Sequence, residues 1–205
     1  MKYEWRKHDK ELYMPGKEPA IVVVPPMQFL MLDGKGNPNG DGFSAAVEAL
    51  YSLSYAIKML PKKGITPEGY YDYTVFPLEG IWDLEEEARK LEKLDKDKLI
   101  YTLMIRQPEF VTETLVMEIM ENVKQKKPNP LLDSIVFKTY EEGKCVQMLH
   151  LGSYDDEPES FVRMEEFCRA NNLERISKQH KEIYLTDARN TPADKLKTVL
   201  RFKVR

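Results

Sequence analysis

The sequence predicts an α+β fold made of two βαββ repeats with pseudo-twofold symmetry. The first observation is an internal repeat: a shift of 118 residues places residues 148–152 (MLHLG) on residues 30–34 (LMLDG) and Phe161 on Phe43. The second is that each helix predicted after such a strand is followed by two more strands. We therefore expect antiparallel sheet with helices on one side and a ligand groove between the two halves.

Length and composition restrict the class of protein. The 205 residues carry a net charge of -3, with 32% charged and 42% hydrophobic residues, which is typical of a soluble globular chain. Basic runs such as 124–127 (KQKK) are too short to form the contiguous positive surface that nucleic acids need. No apolar run approaches 18 residues and no leader is recognisable, so we expect a cytoplasmic protein with neither nucleic-acid nor membrane partners.

We expect a single domain over residues 1–205. Within it, residues 1–19 form an N-terminal arm that docks through its aromatic side chains, and residues 20–108 form the first βαββ half. A helix in 109–130 links this half to the second, which covers 131–205.

Local patterns assign the elements of the first half in order. Apolar β-type runs at 20–24 and 28–33 are separated by two prolines, which predicts two strands. Apolar residues at three-to-four spacing predict a helix over 43–60. The charged segment 83–98 is a short exposed helix or a loop, and the run LIYTLMI at 99–105 is a strand.

The stretch 69–82 (GYYDYTVFPLEGIW) is the most aromatic part of the chain and is predicted to be a strand. Its alternation places Tyr71 and Tyr73 on one face. Two interpretations stay open, a tyrosine-rich core strand and a pocket for flat organic ligands. Glu79 near its end either lines that pocket or serves only as a turn cap or ion-pair partner.

The second half follows from the same signals. Two β-type runs flank EEG and predict a hairpin, and Pro158 with neighbouring acids predicts a helix start. Thr191 before Pro192 predicts the N-cap of a single helical turn. The predicted elements are a helix at 109–126, strands at 135–140 and 144–151, a helix at 159–171, and strands at 181–185 and 197–204.

Cysteines and histidines give no sign of a metal or cofactor site. Cys145 and Cys168 are far apart and lack the CxxC spacing of metal ligands. His8, His150 and His180 lie in unrelated contexts, and we assign none of them chemistry. The sequence therefore predicts no metal and no cofactor.

Four segments together resemble the GyrI-like small-molecule binding domain, which also serves as the ligand domain of some multidrug-responsive transcription activators. They are YSLSYAIK at 51–58, PLEGIW at 77–82, YTLMIRQP at 101–108 and EIYLTDARNTPADKLKTVLR at 182–201. No helix-turn-helix segment precedes them, so the resemblance is to the free-standing members rather than to the regulators.

The resemblance implies where the site lies. The glutamate of the family's E-I-Y-L strand is at the bottom of the pocket, and Glu182 matches it, with Trp82 as the second catalytic residue. The remaining residues implied as ligand-binding are Tyr55, Tyr71, Tyr73, Tyr101, Tyr184 and Glu79. Without the resemblance, the ordinary interpretation of Glu182 is a water-facing residue on an edge strand.

The resemblance also implies two functions between which the residues do not decide. Some free-standing members hydrolyse strained cyclopropane-bearing natural products and so protect the cell, and a desolvated Glu182 suits water activation there. Other members bind lipophilic aromatic cations without turnover, for which a carboxylate among aromatic rings is equally suited. The expected partners are planar aromatic small molecules, including cationic ones. Gyrase inhibition through protein contact has only the family name in its favour.

Overall fold

The computed structural model describes residues 2–88 and 95–205, and these form five α-helices and eight β-strands. The helices are α1 (Trp5–His8), α2 (Lys10–Tyr13), α3 (Asp41–Lys58), α4 (Glu113–Lys126) and α5 (Glu157–Ala170). The strands are β1 (Ala20–Val24), β2 (Met27–Lys35), β3 (Leu78–Leu84), β4 (Leu99–Arg106), β5 (Val136–Tyr140), β6 (Gly143–Leu151), β7 (His180–Tyr184) and β8 (Lys197–Lys203). Residues 89–94 of the predicted charged segment lie outside the described residues.

The predicted α+β class is confirmed, and the local patterns explain why the elements form. Helix α3 has apolar side chains at three-to-four spacing, so Leu50, Leu53 and Ile57 are fully buried. It ends at Lys58, and a short 3-10 helix then leads to Gly64 at φ +78°, a conformation that glycine adopts without strain. The helical turn expected after Thr191 is a 3-10 turn at Ala193–Lys195.

The described residues fall into two compact units that do not follow the order of the chain. Unit 1 contains Met27–Phe76 and Asp83–Tyr140, together with the residues up to Glu4. Unit 2 contains Trp5–Pro26, Pro77–Trp82 and Glu141–Arg205. Strand β1 from the first half of the chain therefore belongs to unit 2, and β5 from the second half belongs to unit 1.

Unit 1 is built on three antiparallel strands in the order β4-β2-β5. Helix α3 packs on β2 and β4, and α4 packs on α3. The side chains of Phe29, Leu30 and Leu103 are completely buried at the centre of this sheet. These strands are apolar on both faces, which explains why they read as continuous hydrophobic runs.

Unit 2 holds strands in the order β1-β6-β8-β7-β3, with antiparallel pairing of β1, β6, β8, β7 and the 79–82 part of β3. Helix α5 packs on β6. Its buried Met164 and Cys168 form one core cluster with Val146, Leu200 and Phe202 of the sheet. This packing holds the start of α5 close to the strand β7 that carries Glu182.

The predicted hairpin around EEG is wrong. Strand β5 pairs with β2, whereas β6 pairs with β1 and β8. The EEG signal is local and reports only that the chain reverses between the two runs, with Gly143 at φ +70°. Which strands pair depends instead on buried contacts. Glu142 of this turn, for example, forms ion pairs with Lys181 and Arg201.

The aromatic stretch is a strand only at its end. Strand β3 begins at Leu78, and the preceding residues have one isolated parallel bridge, between Tyr3 and Tyr73. The backbone N–H of Tyr3 donates to Asp72 and its carbonyl accepts from Thr74, so a short N-terminal segment takes the place of a neighbouring strand. The alternation of aromatic residues predicted a longer strand. A local pattern does not show that the only neighbour of this part among the described residues is a short N-terminal segment with one bridge.

The order strand, helix, strand, strand occurs twice, as β2-α3-β3-β4 and as β6-α5-β7-β8. The pseudo-twofold relation between these two sets, the placement of helices on one side, and the ligand groove between the halves stay predictions. Within the described part of the chain, no helix has both the length and the apolar character needed to cross a bilayer.

Candidate functional site

Strand β7 places three functional side chains on one face. Because side chains alternate along a strand, His180, Glu182 and Tyr184 point to the same side. Antiparallel pairing sets Gly80 of β3 opposite Glu182, and Trp82 opposite His180. Residues on paired positions share a face, so the indole of Trp82 joins this group.

Gly80 makes room for the contact between the two aromatic side chains. A Cβ atom at this position would lie 2.7 Å from Nε1 of Trp82 and 3.2 Å from the hydroxyl oxygen of Tyr184. Any side chain would therefore displace the indole or the phenol. The glycine of PLEGIW is needed here for space.

A chain of hydrogen bonds fixes the Glu182 carboxylate. Nε1 of Trp82 donates to the Tyr184 hydroxyl over 2.7 Å, and that hydroxyl donates to Oε2 of Glu182 over 2.8 Å. The other oxygen, Oε1, lies 3.0 Å from Nε2 of His180, which acts as the donor because a carboxylate only accepts. Glu182 is only 8% exposed, so both of its oxygens are held in a desolvated position.

A second carboxyl group lies beside Glu182. Glu157 opens helix α5, just before Pro158, and is 6% exposed. Burial, and then the negative charge and hydrogen bond of Glu182, hold the pKa of the Glu157 carboxyl far above its usual range. Its Oε1 atom has no hydrogen-bond partner among the described residues.

Glu157, His180 and Glu182 are the members of what we call the carboxyl cluster. One ligand atom of each lies within 4.8 Å of the other two, a spacing at which the three residues can hold a metal ion. The imidazole of His180 is positioned by Phe161, whose ring centre lies 4.7 Å away in an edge-on arrangement. The cluster is therefore a built arrangement with aromatic support.

Two phenols border the carboxyl cluster. The rings of Tyr154 and Tyr184 are 6.0 Å apart and edge-on, and both are partly exposed. Burial and the charge of Glu182 raise the pKa of Tyr154 to about 12, and the same two causes raise the pKa of Tyr184 well above its ordinary value. Both phenols therefore keep their protons at neutral pH and can donate hydrogen bonds.

The opposite face of β7 carries a different arrangement, which we call the ion network: Glu79, Glu142, Lys181 and Arg201. Lys181 donates to Glu79 over 2.9 Å and to Glu142 over 2.7 Å, and Arg201 donates to Glu142 over 3.0 Å. Tyr13 donates to the remaining oxygen of Glu79. Glu79, implied as a ligand-binding residue, thus lies on the face away from Glu182, with its carboxylate fully paired.

The other tyrosines implied as ligand-binding belong to unit 1. Tyr55 is half exposed and stacks on Tyr51 one helical turn away. Tyr101 is buried and covers Gly34, where a Cβ atom would lie 2.3 Å from its ring. Tyr55 and Tyr101 belong to unit 1, whereas the carboxyl cluster belongs to unit 2. Contact of these two tyrosines with a ligand stays a prediction.

Tyr71 and Tyr73 form part of an aromatic cluster in unit 1. The Tyr71 hydroxyl donates to Glu109, and the Tyr73 ring is 1% exposed with the Lys58 ammonium 5.1 Å from its centre. The Arg106 guanidinium lies 4.5 Å from the centre of a further ring of this cluster, that of Phe76. The protein's own cations therefore occupy faces of these rings.

Sequence reasoning named Glu182, Trp82 and Tyr184 but missed Glu157, His180 and Tyr154. His180 is two residues before Glu182, so strand alternation alone places it on the same face and would have identified it. Glu157 and Tyr154 give no such signal. Glu157 begins helix α5, where acids are favoured in any case, and Tyr154 lies in the turn before that helix. Only tertiary packing brings these two side chains to β7.

Residues 17–205 match the family model described as GyrI-like small molecule binding domain. Crystal structures of three Listeria innocua proteins are similar along their whole length. An uncharacterized conserved protein is 38% identical with a TM-score of 0.91, covering 99% of this chain and 100% of that one. A hydrolase encoded by lin2189 is 36% identical with a TM-score of 0.92 and full coverage of both chains. Another hydrolase is 35% identical with a TM-score of 0.90, covering 99% and 100%. A search of curated proteins finds no match.

Proposed function

Since the chain belongs to the family of GyrI-like small molecule binding domains, we propose that it binds planar aromatic compounds and hydrolyses those that carry a strained, electrophilic cyclopropane ring. The observation that carries this proposal is the buried Glu182 carboxylate, held from both sides by His180 and Tyr184. The names of the similar Listeria innocua hydrolases add support for hydrolysis. A desolvated and oriented carboxylate is suited to take a proton from water.

The partly exposed rings of Tyr154 and Tyr184 offer the surface on which a flat substrate packs. Trp82 is 5% exposed, and its indole N–H is engaged by the Tyr184 hydroxyl. We therefore assign Trp82 a positioning role through Tyr184. Packing of the substrate near Glu182 converts the attack of water into a step within one complex.

In the hydrolytic step, Glu182 accepts a proton from water as the water oxygen bonds to a cyclopropane carbon. The carbon–carbon bond of the strained ring breaks, and its electron pair passes through the conjugated ring to the carbonyl oxygen, which becomes a phenolate. The phenol of Tyr154, which keeps its proton at neutral pH, donates a hydrogen bond to this oxygen, a role worth about 2.7 to 4 kcal/mol for one oxyanion donor. The proton held by Glu182 then returns to the phenolate, directly or through solvent.

The reaction is tested by incubating the protein with a cyclopropane-bearing, DNA-alkylating compound and following the loss of the dienone absorbance. We expect Glu182→Gln to lower kcat by roughly 10²- to 10⁴-fold, the usual contribution of a general base. Glu174→Gln is the matched control in unit 2, because Glu174 is an exposed carboxylate that forms an ion pair with the surface residue Arg205. Equal turnover by the wild type and Glu182→Gln contradicts the proposal.

A second candidate function is sequestration of lipophilic aromatic cations without turnover. It is favoured by one observation: within the described residues, no lysine or arginine forms an ion pair with Glu157 or Glu182. A delocalised cation gains from such a carboxylate and from aromatic faces, at about 0.5 to 2 kcal/mol for each ring contact. Binding of a rhodamine-type dye that weakens in Glu182→Gln, with no product in the hydrolysis assay, supports this function over the first.

In either function the protein protects the cytoplasm from reactive or membrane-permeant aromatic compounds. Neither function requires a protein partner.

A further inference from the structure

We propose that the carboxyl cluster of Glu157, His180 and Glu182 is a binding site for a divalent transition-metal ion, with Zn²⁺ as the best-suited ion. The cluster contains one imidazole and two carboxyl groups whose ligand atoms lie within 4.8 Å of one another. The sequence suggested no metal site because the ligands come from two elements, α5 and β7, that are far apart along the chain.

The donor atoms match the preferences of the ion. Imidazole nitrogen and carboxylate oxygen bind Zn²⁺ at about 2.0 to 2.2 Å, and three protein ligands with one open position are typical of catalytic zinc sites. Nε2 of His180 and Oε1 of Glu182 are 3.0 Å apart, close to the roughly 3.3 Å between neighbouring ligands in a tetrahedron of that size. Glu157 supplies the third ligand atom, which lies within 4.8 Å of the other two.

An independent observation also points to a ligand. Glu157 is buried, with only 6% of its surface exposed, and its Oε1 atom has no hydrogen-bond partner among the described residues. A buried polar oxygen without a partner is destabilising, so its retention beside two further metal-ligating groups needs an explanation. A bound cation supplies the missing partner.

The charge of the cluster favours the same conclusion. Glu157 and Glu182 are neighbouring carboxyl groups in a desolvated position, and a divalent cation that displaces the proton of Glu157 balances both carboxylates. The ion network on the other face of β7 shows how this protein treats two buried carboxylates elsewhere, since there Lys181 and Arg201 balance Glu79 and Glu142. In the carboxyl cluster, no described lysine or arginine forms an ion pair with Glu157 or Glu182.

The surroundings orient the ligands and give the ion access. Tyr184 donates to Oε2 of Glu182, which leaves Oε1 directed to His180, and a hydrogen bond of this kind to a ligating carboxylate strengthens metal sites. Phe161 supports the imidazole of His180 from the side. The His180 side chain is 21% exposed, so the cluster is open to solvent at this ligand.

Occupation by the ion has a consequence that rests on the proposed function. Glu182 cannot ligate a metal and accept a proton from water through the same oxygen, so we expect Zn²⁺ to inhibit hydrolysis. The binding itself is measured without substrate. A protein that binds Zn²⁺ but has no turnover would leave the metal site intact and remove only the proposed reaction.

The experiment titrates Zn²⁺ into the metal-free protein by calorimetry at pH 7 in a buffer that does not bind metals. We expect one ion per chain, and a loss of affinity of at least about tenfold in Glu157→Gln, His180→Ala and Glu182→Gln. His8→Ala is the matched control, because His8 is an exposed histidine in α1. Circular dichroism and thermal unfolding show whether each variant is folded.

Co²⁺ gives a second measurement that does not depend on the variants. Its visible absorption reports the ligand field, so a four-coordinate nitrogen and oxygen site is recognised in the wild-type protein alone. Absence of Zn²⁺ binding at a 1:1 ratio, or binding that Glu157→Gln and His180→Ala leave unchanged, overturns the proposal. Binding that only the three cluster variants weaken supports it.

Discussion

The two faces of strand β7 hold the same number of buried glutamates in opposite states. On one face, Glu79 and Glu142 are paired with Lys181 and Arg201. On the other, Glu157 and Glu182 have a histidine and a tyrosine for neighbours. Burial of an acid therefore does not by itself indicate a functional site. The indication is a pair of neighbouring buried acids that no described lysine or arginine neutralises.

The largest fall in the free energy of unfolding is expected from a substitution in the ion network. Glu142→Gln removes the carboxylate that contacts both Lys181 and Arg201, and leaves two buried cations with one carboxylate between them. We expect the free energy of unfolding to fall by about 3 to 5 kcal/mol, the usual result of removing one partner from a buried ion pair. Urea unfolding followed by circular dichroism measures it.

The matched substitution on the other face is Glu182→Gln. It removes a carboxylate that no described lysine or arginine balances, so we expect a change in the free energy of unfolding below about 1 kcal/mol. Equal destabilisation by the two substitutions would mean that the two faces do not differ in the way that we infer.

The ion network should also make the stability of the protein depend on pH in acid. Burial alone would raise the pKa of Glu142, but Lys181 and Arg201 together lower it below its ordinary value. A lowered pKa in the folded state contributes stability that is present above the unfolded pKa of about 4.3 and is lost as pH falls through the folded value. We expect unfolding experiments below pH ~4.5 to show a loss approaching 1.4 kcal/mol per pH unit from this group.

The same titration of Glu142→Gln gives the control. This variant lacks the titrating carboxylate, so its stability difference from the wild type should shrink as the pH falls from about 5. A difference that stays constant down to pH 3 contradicts the assignment of the acid effect to Glu142.

The smallest change is expected in kcat, from a substitution that weakens the hydrogen bonds orienting Glu182. Trp82→Phe removes the N–H that donates to the Tyr184 hydroxyl and leaves an aromatic ring of smaller size. We expect kcat for hydrolysis to fall about tenfold with little change in KM, since one hydrogen bond contributes roughly 0.5 to 1.5 kcal/mol. A rise in KM with unchanged kcat would assign Trp82 to substrate contact instead of positioning.

The sequence predicted most elements of the fold because their patterns are local. Strand β1 agrees with the prediction at 20–24, and α3 and α4 agree within a few residues, since their apolar spacing is decided within each segment. The EEG hairpin and the strand through Tyr71 and Tyr73 were wrong. In both cases the partner is a distant segment that a local pattern does not identify.

The candidate site was predictable to a similar extent. The family resemblance indicated Glu182, Trp82 and Tyr184, and the structure brings these three together through hydrogen bonds. Glu157 was not predictable, because its place beside Glu182 depends on how α5 packs on the sheet of unit 2. Its pattern in the sequence is that of an ordinary acid in the first turn of a helix.

The exchange of β1 and β5 between the units bears on how the chain matures during synthesis. Strand β2 accepts β5 on one edge, so that edge stays open on a growing polypeptide until Tyr140 has left the ribosome. Strand β1 likewise waits for β6, whose residues are made more than a hundred positions later. Such distant pairings slow folding and expose strand edges to other chains. A nascent first half of this protein is therefore a natural client for chaperones.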